Sequence, residues 1–541
     1  MLLSARFSWL YFLPALAGLA GCAAVSSPEG GIRDTTPPKL VSSLPENEAR
    51  NVRGQSIRLV FSESIQVKDL QKNLIIAPYI GDDNKYKVRE DRNAVTLTFD
   101  KPFSPNTTYS FNFGNAISDI TESNPAPDAR VSFSTGAQLD SGSVRGAVTE
   151  LLSGKPAAEA VVMLYPETDT ANIRRGRPFY LARTDKQGRF FLQYLKEGRY
   201  QLYALADKNQ SLRYEEGERI AYLPTLYTVR PNSDSLQLVL TRPDSRRPTL
   251  VSQKPGPTSF EVSYNEGLSA AALSPLTGPT PPALTEALQL TERGRNVLLY
   301  RFPDLAEGRY LLAATDSAGN VGRDTVNVRF QGNPPTKRPA AYTVEGSPRE
   351  VYRQGQVKFK FTEPIRLVPG KPIGTLVEDS LKRRPLRVPT DAALSPDRST
   401  LTVTLNTQAK KNVGIILDST VVQSVTGQRL GLKPLLRLRV TDQATTGTLS
   451  GTITTKYTSY QVQLLDANNQ VVATLLSPKG TYRFDYLAPA TYSMRVLIDT
   501  NNDGRWQGGD TQLRVPPEPV YFFPKSIQIR ANFDIVEALR F

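Results

Sequence analysis

Three stretches of the chain carry the same strand pattern and decide the fold. The first reads Ile57-Arg-Leu-Val-Phe-Ser-Glu-Ser-Ile65, the second reads Val357-Lys-Phe-Lys-Phe-Thr-Glu-Pro-Ile365, and a looser copy reads Phe260-Glu-Val-Ser-Tyr-Asn-Glu-Gly-Leu268. In each, apolar residues alternate along the stretch before a Glu, a turn and another apolar residue. Because successive side chains of a β-strand point to opposite faces, this alternation predicts a strand with one buried face. Its recurrence predicts a tandem array of β-domains.

A second unit of the sequence is repeated as well. Gly188-Arg-Phe-Phe-Leu-Gln-Tyr-Leu195 returns as Gly480-Thr-Tyr-Arg-Phe-Asp-Tyr-Leu487, and Tyr200-Gln-Leu-Tyr-Ala-Leu-Ala-Asp207 returns as Tyr492-Ser-Met-Arg-Val-Leu-Ile-Asp499. Both blocks recur at the same offset of 292 residues, so chance similarity is a poor explanation. The chain therefore contains two kinds of repeated β-domain.

The composition excludes most catalytic machinery. The chain has 541 residues, enough for several domains, with no His and one Cys. It can form no Ser–His–Asp or Cys–His nucleophile system, no His metal site and no cysteine zinc cluster. It also has no Gly-x-x-x-x-Gly-Lys phosphate loop. We therefore expect a non-enzyme that binds no nucleotide; the alternative, an enzyme built on two carboxylates, has no pair that stands out by position.

The charge of the chain points away from nucleic acid. The formal net charge is +14, but the basic residues stand in scattered pairs such as Arg174-Arg175 and Arg246-Arg247. Nucleic-acid binding would require a basic stripe with interleaved aromatic residues, so none is expected. The charge favours contact with anionic envelope glycans, and a generally basic soluble surface is the alternative.

The first 22 residues predict a lipoprotein signal peptide. Phe7 to Leu19 is apolar but short for a membrane-spanning helix, and it ends in Leu19-Ala20-Gly21-Cys22. This ending resembles the lipobox of bacterial lipoproteins, in which the signal is cut before the Cys and the Cys is lipidated. We expect residues 1–21 to be the signal peptide, Cys22 to carry the lipid, and residues 22–34 to be a flexible tether. An ordinary signal peptide with an incidental Cys is the alternative.

Two known families resemble the repeats. The opening Thr36-Pro-Pro-Lys-Leu-Val-Ser42, the strand ending at Ile65 and Asn106-Thr-Thr-Tyr-Ser-Phe111 resemble the SbsA-type bacterial Ig-like domain. The second repeat resembles the transthyretin-like sandwich of carboxypeptidase regulatory domains. The implied fold class is all-β, a tandem array of about five Ig-like and transthyretin-like β-sandwiches after the signal peptide. The predicted domains are Ig-like at 35–136, 244–331 and 338–442, and transthyretin-like at 142–242 and 447–541.

The whole arrangement is similar to the Ig-like-domain lipoproteins of Bacteroidetes, which commonly carry a tether like Gly30-Gly31-Ile-Arg-Asp34-Thr-Thr-Pro-Pro38. The resemblance implies a lipid anchor, and Ala23 after the Cys favours the outer membrane, at its periplasmic face or at the cell surface. We expect a rod or bent string of sandwiches that acts as a non-catalytic envelope scaffold or protein-interaction module. Its expected partners are the membrane, other envelope proteins or anionic envelope glycans. A cell-surface adhesin or glycan-binding protein is the alternative.

Residues 499–510 predict a calcium loop in the last domain. They read Asp-Thr-Asn-Asn-Asp-Gly-Arg-Trp-Gln-Gly-Gly-Asp. This spacing resembles an EF-hand-type loop, with oxygen ligands at positions 1, 3, 5, 7, 9 and 12 and a Gly at position 6. The predicted ligands are Asp499, Asn501, Asp503, the carbonyl of Arg505, Gln507 and Asp510. A hairpin connection with no metal is the alternative.

The paired loop at 207–218 is a weaker candidate. It keeps Asp207, Asn209 and Glu218 but has Ser211 and Leu212 at positions 5 and 6. Outside these loops, four tyrosines each begin a strand after a turn. We expect each ring to fill a corner of its sandwich with the hydroxyl bonded to backbone, and a ligand platform is the alternative. These tyrosines are Tyr109, Tyr200, Tyr310 and Tyr492.

Overall fold

The computed structural model describes residues 34–127, 129–333, 342–346, 348–427, 430–432 and 435–541. The predicted signal peptide, Cys22 and nearly all of the tether lie outside these ranges. The described chain is built almost wholly of β-strands in small sheets, which confirms the predicted all-β class of tandem β-sandwiches. It forms two compact units, one of the described residues up to Ile76 with Ile80–Leu139, and one of Ala77–Tyr79 with Asp140–Phe541.

The first unit holds the first sandwich. Ile57, Leu59 and Phe61 are at most 1% exposed, whereas Arg58 and Val60 between them are partly exposed, as the alternation predicts. Its sheets run in the orders β1-β2-β6-β5, β4-β7-β9 and β3-β8. The elements are β1 (Leu40–Leu44), β2 (Ser56–Phe61), β3 (Ile65–Val67), α1 (Leu70–Asn73), β4 (Ile75–Ala77), β5 (Tyr86–Asp91), β6 (Ala94–Phe99), β7 (Thr108–Asn112), β8 (Ile117–Asp119) and β9 (Arg130–Ser134).

The second sandwich opens the second unit. Its central strand β10 pairs antiparallel with β13 and parallel with β17, while the other sheet runs β12-β11-β14-β15 with β16 also on β14. The strands are β10 (Gly142–Glu150), β11 (Val161–Pro166), β12 (Tyr180–Arg183), β13 (Arg189–Leu195), β14 (Gly198–Leu205), β15 (Ile220–Tyr222), β16 (Tyr227–Val229) and β17 (Ser235–Leu240).

The third sandwich pairs β18-β19-β22-β21 in one sheet and β20-β23-β24 in the other. The core of this sandwich is again the apolar face of alternating strands such as β19, where Phe260, Val262 and Tyr264 are buried. The elements are β18 (Leu250–Pro255), β19 (Ser259–Tyr264), β20 (Leu268–Pro275), α2 (Pro282–Glu286), β21 (Leu288–Thr291), a 3-10 turn (Glu292–Gly294), β22 (Asn296–Tyr300), β23 (Gly308–Asp316) and β24 (Val321–Val328).

The fourth sandwich shows the strictest alternation. Along β27 every second residue is buried, ending with Val357, Phe359 and Phe361. Its sheets are β25-β27-β32-β31, β26-β35-β33-β29-β30 and β28-β34. The strands are β25 (Tyr342–Val344), β26 (Glu350–Tyr352), β27 (Gln354–Phe361), β28 (Ile365–Leu367), β29 (Gly374–Glu378), β30 (Lys382–Leu386), β31 (Ala392–Leu394), β32 (Thr400–Asn406), β33 (Asn412–Leu417), β34 (Val422–Ser424) and β35 (Leu436–Thr441).

The fifth sandwich repeats the topology of the second. Strand β36 pairs antiparallel with β39 and parallel with β43 and β44, and the other sheet runs β38-β37-β40-β41 with β42 also on β40. The strands are β36 (Gly447–Thr454), β37 (Ser459–Leu465), β38 (Val471–Leu476), β39 (Thr481–Leu487), β40 (Thr491–Asp499), β41 (Val520–Phe522), β42 (Ile527–Gln528), β43 (Asp534–Val536) and β44 (Leu539–Arg540).

The four tyrosines that follow turns lie at corners of their sandwiches, as predicted. All four are buried. Tyr200, Tyr310 and Tyr492 donate their hydroxyl hydrogen to the carbonyl four residues earlier, at 2.8, 2.7 and 3.0 Å. The hydroxyl of Tyr109 accepts from the amide of Ser104 at 3.0 Å. These rings are therefore part of the cores and are not a ligand platform.

The second and fifth sandwiches touch each other directly. Arg495 on β40 donates to the carbonyl of Leu152 at 2.6 Å, and the hydroxyl of Tyr222 on β15 donates to the carbonyl of Val515 at 2.5 Å. Contact between these two non-consecutive sandwiches excludes a straight rod within the second unit and is compatible with the bent string that was the other expected form. The contact forms because the second sandwich presents both hydrogen-bonding groups and an apolar face to the loop after β40.

Candidate functional site

The predicted calcium ligands lie in the loop that joins β40 to β41. We call residues 499–519 the C-terminal loop. Asp499 is the last residue of β40, where it pairs with Ser459 of β37 and is only 3% exposed. The ladder therefore holds the first predicted ligand rigidly, and the Asn- and Gly-containing segment after it turns away from the sheet.

The carboxylate of Asp499 faces into the C-terminal loop. Its Oδ2 accepts from Ser459 Oγ at 2.6 Å and from the amide of Gly504 at 2.9 Å. Burial would raise the pKa of Asp499, but these hydrogen bonds oppose it, so that the pKa lies below its usual value. The other oxygen, Oδ1, is buried and has no hydrogen-bond partner among the described residues. A buried charged oxygen without a partner is costly, and a cation would satisfy it.

Four other predicted ligands form a hydrogen-bonded network in the same loop as Asp499. Asp503 Oδ2 accepts from Asn501 Nδ2 at 3.1 Å and from Gln507 Nε2 at 2.7 Å. Asn501 Oδ1 accepts from the amide of Asp503 at 2.9 Å. Arg505 enters this network through its amide, which donates to Asp503 Oδ1 at 2.8 Å. The segment thus gathers oxygen atoms of the kind that calcium prefers.

The sixth predicted ligand, Asp510, lies in a different environment. Its Oδ1 accepts from the amides of Arg514 and Val515 at 2.7 and 2.8 Å. Its own amide donates to the hydroxyl of Tyr222 at 3.0 Å. Asp510 therefore shapes a turn that lies against the second sandwich, and it does so with one of its two carboxylate oxygens.

Glu518 is the residue of this loop that sequence reasoning missed. It is 7% exposed, and its Oε1 accepts from the amides of Thr500 and Asn501 at 2.7 and 3.4 Å. Its Oε2 accepts from the amide of Gln507 at 2.9 Å. Glu518 stands outside the twelve-residue pattern, and the one available signal is a Glu between two prolines just before β41. It ties the two ends of the predicted ligand segment together.

A second acidic cluster lies in the third sandwich. Carboxylate oxygens of Asp244, Glu266 and Asp316 lie within 4.8 Å of one another, and Glu266 Oε1 is buried without a hydrogen-bond partner among the described residues. Burial raises the pKa of Glu266, and the charges of the two aspartates raise it further. The repeat signal that could have revealed this cluster is that Asp34 and Glu63 stand at the equivalent places of the first sandwich.

A polar cleft of about 700 Å³ lies between the fourth and fifth sandwiches. Its lining includes Tyr352 and Tyr486 together with two ion pairs, Arg384–Asp391 and Arg483–Asp485. In the second pair Nε and Oδ1 are 2.7 Å apart. Paired charges and aromatic rings can offer hydrogen bonds and a flat apolar face.

The comparisons with known proteins bear on the first sandwich. Residues 34–135 match the bacterial Ig-like domain family. The first sandwich is therefore similar to bacterial Ig-like domains. This agrees with the resemblance that the sequence shows over 35–136. None of the curated proteins matches the chain.

Several solved structures of tandem β-domains are similar to the chain at low identity. The major pilin subunit BcpA of Bacillus cereus is 11% identical, with 74% of this chain and 98% of that chain covered and a TM-score of 0.14. The surface layer protein SbsC, domains 1–6, is 12% identical, with 93% of this chain and 68% of that chain covered and a TM-score of 0.15. The Bacteroides ovatus mixed-linkage glucan utilization locus protein SGBP-B, in complex with a mixed-linkage heptasaccharide, is 11% identical. The match covers 73% of this chain and 95% of that chain, with a TM-score of 0.17.

None of the helices in the described ranges has the length and apolar character needed to cross a membrane. The predicted anchor, Cys22, precedes the first described residue. Membrane attachment through that cysteine therefore stays a prediction from the sequence.

Proposed function

We propose that this protein is a non-catalytic envelope lipoprotein, held to the outer membrane by Cys22, that acts as a multi-domain scaffold or protein-interaction module. The observation that carries the proposal is the array of β-sandwiches, which begins with a domain similar to bacterial Ig-like domains directly after the predicted lipidated tether. The array presents several rigid surfaces at once, as a scaffold requires. Other envelope proteins are the proposed partners.

The anchor and the partners are tested in cells. Radiolabelled palmitate should enter the protein, and a Cys22→Ala form should take up none. Crosslinking of intact cells, followed by identification of the captured proteins, should return envelope proteins. A soluble protein that incorporates no palmitate would contradict the proposal.

The second candidate is a cell-surface adhesin or glycan-binding protein, and the polar cleft between the fourth and fifth sandwiches is the feature that favours it. Tyr486→Ala combined with Tyr352→Ala should then abolish binding on an array of envelope and host glycans. Whole-cell protease shaving decides where the chain faces. Protection of the chain in intact cells would end the adhesin interpretation and leave the scaffold.

We also propose that the C-terminal loop binds calcium through Asp499, Asn501, Asp503, the carbonyl of Arg505, Gln507 and Asp510. The supporting observation is the buried Oδ1 of Asp499, which has no partner among the described residues. A short Asp at position 12 gives one oxygen more readily than two, so the affinity should fall near 0.1–1 mM, roughly the extracellular range.

This site is tested by thermodynamic linkage. A metal that binds only the folded state stabilises it, so 5 mM calcium should stabilise the full chain by about 1–2 kcal/mol relative to a chelator. Asp499→Ala with Asp503→Ala should abolish the shift, and equal magnesium should give a smaller one. Unfolding curves that are identical with calcium and with chelator would show that no such site exists.

A further inference from the structure

The second half of the C-terminal loop is the part that contacts the second sandwich. Thr241 donates its hydroxyl hydrogen to the carbonyl of Gly508, and Arg174 donates to the carbonyl of Thr511 at 2.5 Å. Tyr222 bridges two points of the same segment, since its hydroxyl donates to the carbonyl of Val515 and accepts from the amide of Asp510. Four backbone groups of residues 508–515 are thus bound by the second sandwich.

Apolar contact accompanies these hydrogen bonds. Leu513 is buried in a cluster that otherwise belongs to the second sandwich. Members of that cluster include Val161, Met163, Tyr165, Leu205 and Tyr222. A buried leucine side chain contributes through the apolar area that it removes from water. Residues 508–515 are therefore packed against the second sandwich by both hydrogen bonds and apolar contact.

The predicted cation ligands are directly joined to this docked segment. Gln507, which hydrogen-bonds Asp503, immediately precedes Gly508. Asp510 holds the 510–515 turn with Oδ1 and is also the acid expected to close the cation site. A change in the position of either residue therefore moves the cation site and the docking segment together.

We propose that cation binding at residues 499–510 and docking of residues 508–515 onto the second sandwich are coupled, so that calcium locks the second and fifth sandwiches together. The inference rests on the calcium site proposed above. A bound cation would satisfy the buried Oδ1 of Asp499 and draw the segment from Asp503 to Asp510 into one geometry. Docking holds part of the same segment in place, so each event lowers the cost of the other.

Coupling of this kind is reciprocal, and that makes it measurable from both sides. If docking strengthens calcium binding by a given factor, calcium strengthens docking by the same factor. Weakening a contact that docks residues 508–515 must then weaken calcium binding, even where that contact involves none of the predicted ligands. A loop that bound calcium independently would show no such effect.

Tyr222→Phe removes two hydrogen bonds from the docked segment, but one of them is to the predicted ligand Asp510. Thr241→Val is therefore tested beside it, because it removes the hydrogen bond to the carbonyl of Gly508, which is not a predicted ligand. The chain offers its own reporter, since Trp506 lies in the loop and Trp9 is the other of its two tryptophans. In the full chain carrying Trp9→Phe, calcium should change the emission of Trp506. Both Tyr222→Phe and Thr241→Val should raise the half-saturating calcium concentration, the former by about 5-fold or more.

Tyr200→Phe is the matched control. It also removes one tyrosine hydroxyl from the second sandwich, but that hydroxyl binds the carbonyl of Lys196 and does not contact the C-terminal loop. The control should titrate calcium like the parent chain. Equal half-saturation in the Thr241→Val and parent chains would overturn the coupling while leaving the calcium site standing. If the parent gives no calcium response by emission or by calorimetry, both the site and the coupling fail.

The reverse direction uses trypsin. Arg174 is held by the carbonyl of Thr511, so docking should protect the Arg174–Arg175 bond. Calcium at 5 mM should slow cleavage there several-fold in the parent, and it should have no such effect in Asp499→Ala. Cleavage at the same rate with calcium and with chelator would contradict the proposal.

Discussion

The loops that begin at Asp207 and at Asp499 occupy equivalent places in two sandwiches of the same topology. In each, the first Asp accepts from the amide at position 6, Leu212 in one loop and Gly504 in the other, at 2.9 Å in both. The second oxygen of Asp207 accepts from the amide of Ser211 at 3.1 Å. The second oxygen of Asp499 is buried without a partner among the described residues. One backbone turn can therefore be closed by its own amides or left open for a cation.

Position 6 shows how the two loops reach this common turn. Leu212 has φ of 56° and Gly504 has φ of 83°, so both are in the left-handed region. A residue with a Cβ pays roughly 1–2 kcal/mol there, whereas glycine does not. The 207–218 loop therefore adopts the same turn with a leucine at position 6, although its ligand pattern is incomplete.

Replacing the first Asp of each loop should separate the two most clearly. Asp207→Ala leaves two amides without their acceptor and should destabilise the chain by about 1–3 kcal/mol, with the calcium effect unchanged. Asp499→Ala should lose the calcium stabilisation altogether. Urea unfolding in 5 mM calcium and in chelator measures both. If Asp207→Ala also abolished the calcium effect, the comparison would be wrong.

Glu518 and Glu218 are the last glutamates of the two regions, and replacing each one tests their roles. Glu518 should hold its loop together through several amides, whereas Glu218 should not. Glu518→Gln puts an amide nitrogen against loop N–H groups and should cost about 1–3 kcal/mol even in chelator. Among the described residues, Glu218 accepts from the amide of Glu215 at 3.0 Å, so Glu218→Gln should cost less than about 0.5 kcal/mol. Equal unfolding free energies for the two variants would contradict a special role for Glu518.

Substitution at position 6 should have a smaller effect. Nothing lies within 4 Å of a Cβ placed on Gly504, so Gly504→Ala should cost only the conformational term of about 1 kcal/mol. Gly431 has equally open surroundings and no left-handed φ, which makes Gly431→Ala the control with no loss. A loss in the control as large as that at Gly504 would show that the turn is not what determines the cost.

The smallest expected difference is in pH dependence. Burial, and then the charges of Asp207 and Glu215, raise the pKa of Glu218 above its usual value near 4.5. Above pH 4.5 the folded chain then holds more protons than the unfolded chain, so this group lowers stability as pH rises through its folded pKa. Asp499, with its lowered pKa, stabilises the fold at higher pH and loses that effect in acid. The free energy of unfolding should therefore change less with pH between about pH 4 and 6 in Glu218→Gln than in the parent chain.

Local patterns of the sequence predicted much of the fold. The alternation from Ile57 to Phe61 predicts which face of β2 is buried, and the structure confirms it. The tyrosine corners were predictable because a turn followed by a Tyr and an alternating strand is a short-range signal. The ligand spacing in residues 499–510 is equally local, and whether it binds calcium stays a prediction.

The misses are all contacts between residues that are distant in the chain. Asp244, Glu266 and Asp316 are recognisable singly as repeat positions, but only the packing of the third sandwich brings their carboxylates within 4.8 Å. Glu518 was overlooked because a buried Glu between prolines has no periodic signature. The contact between the second and fifth sandwiches was not predicted for the same reason, since Tyr222 and Val515 are 293 residues apart.

The sequence by itself determined the all-β class, the two kinds of repeat and the faces that each strand buries, because these depend on residues a few positions apart. The tertiary structure alone decided that residues 508–515 lie on the second sandwich and that Asp510 serves a docked turn. Periodicity states that a surface must be covered or solvated, but it does not state which distant segment covers it. That choice depends on shape and hydrogen-bond complementarity, which exist only once both sandwiches have folded.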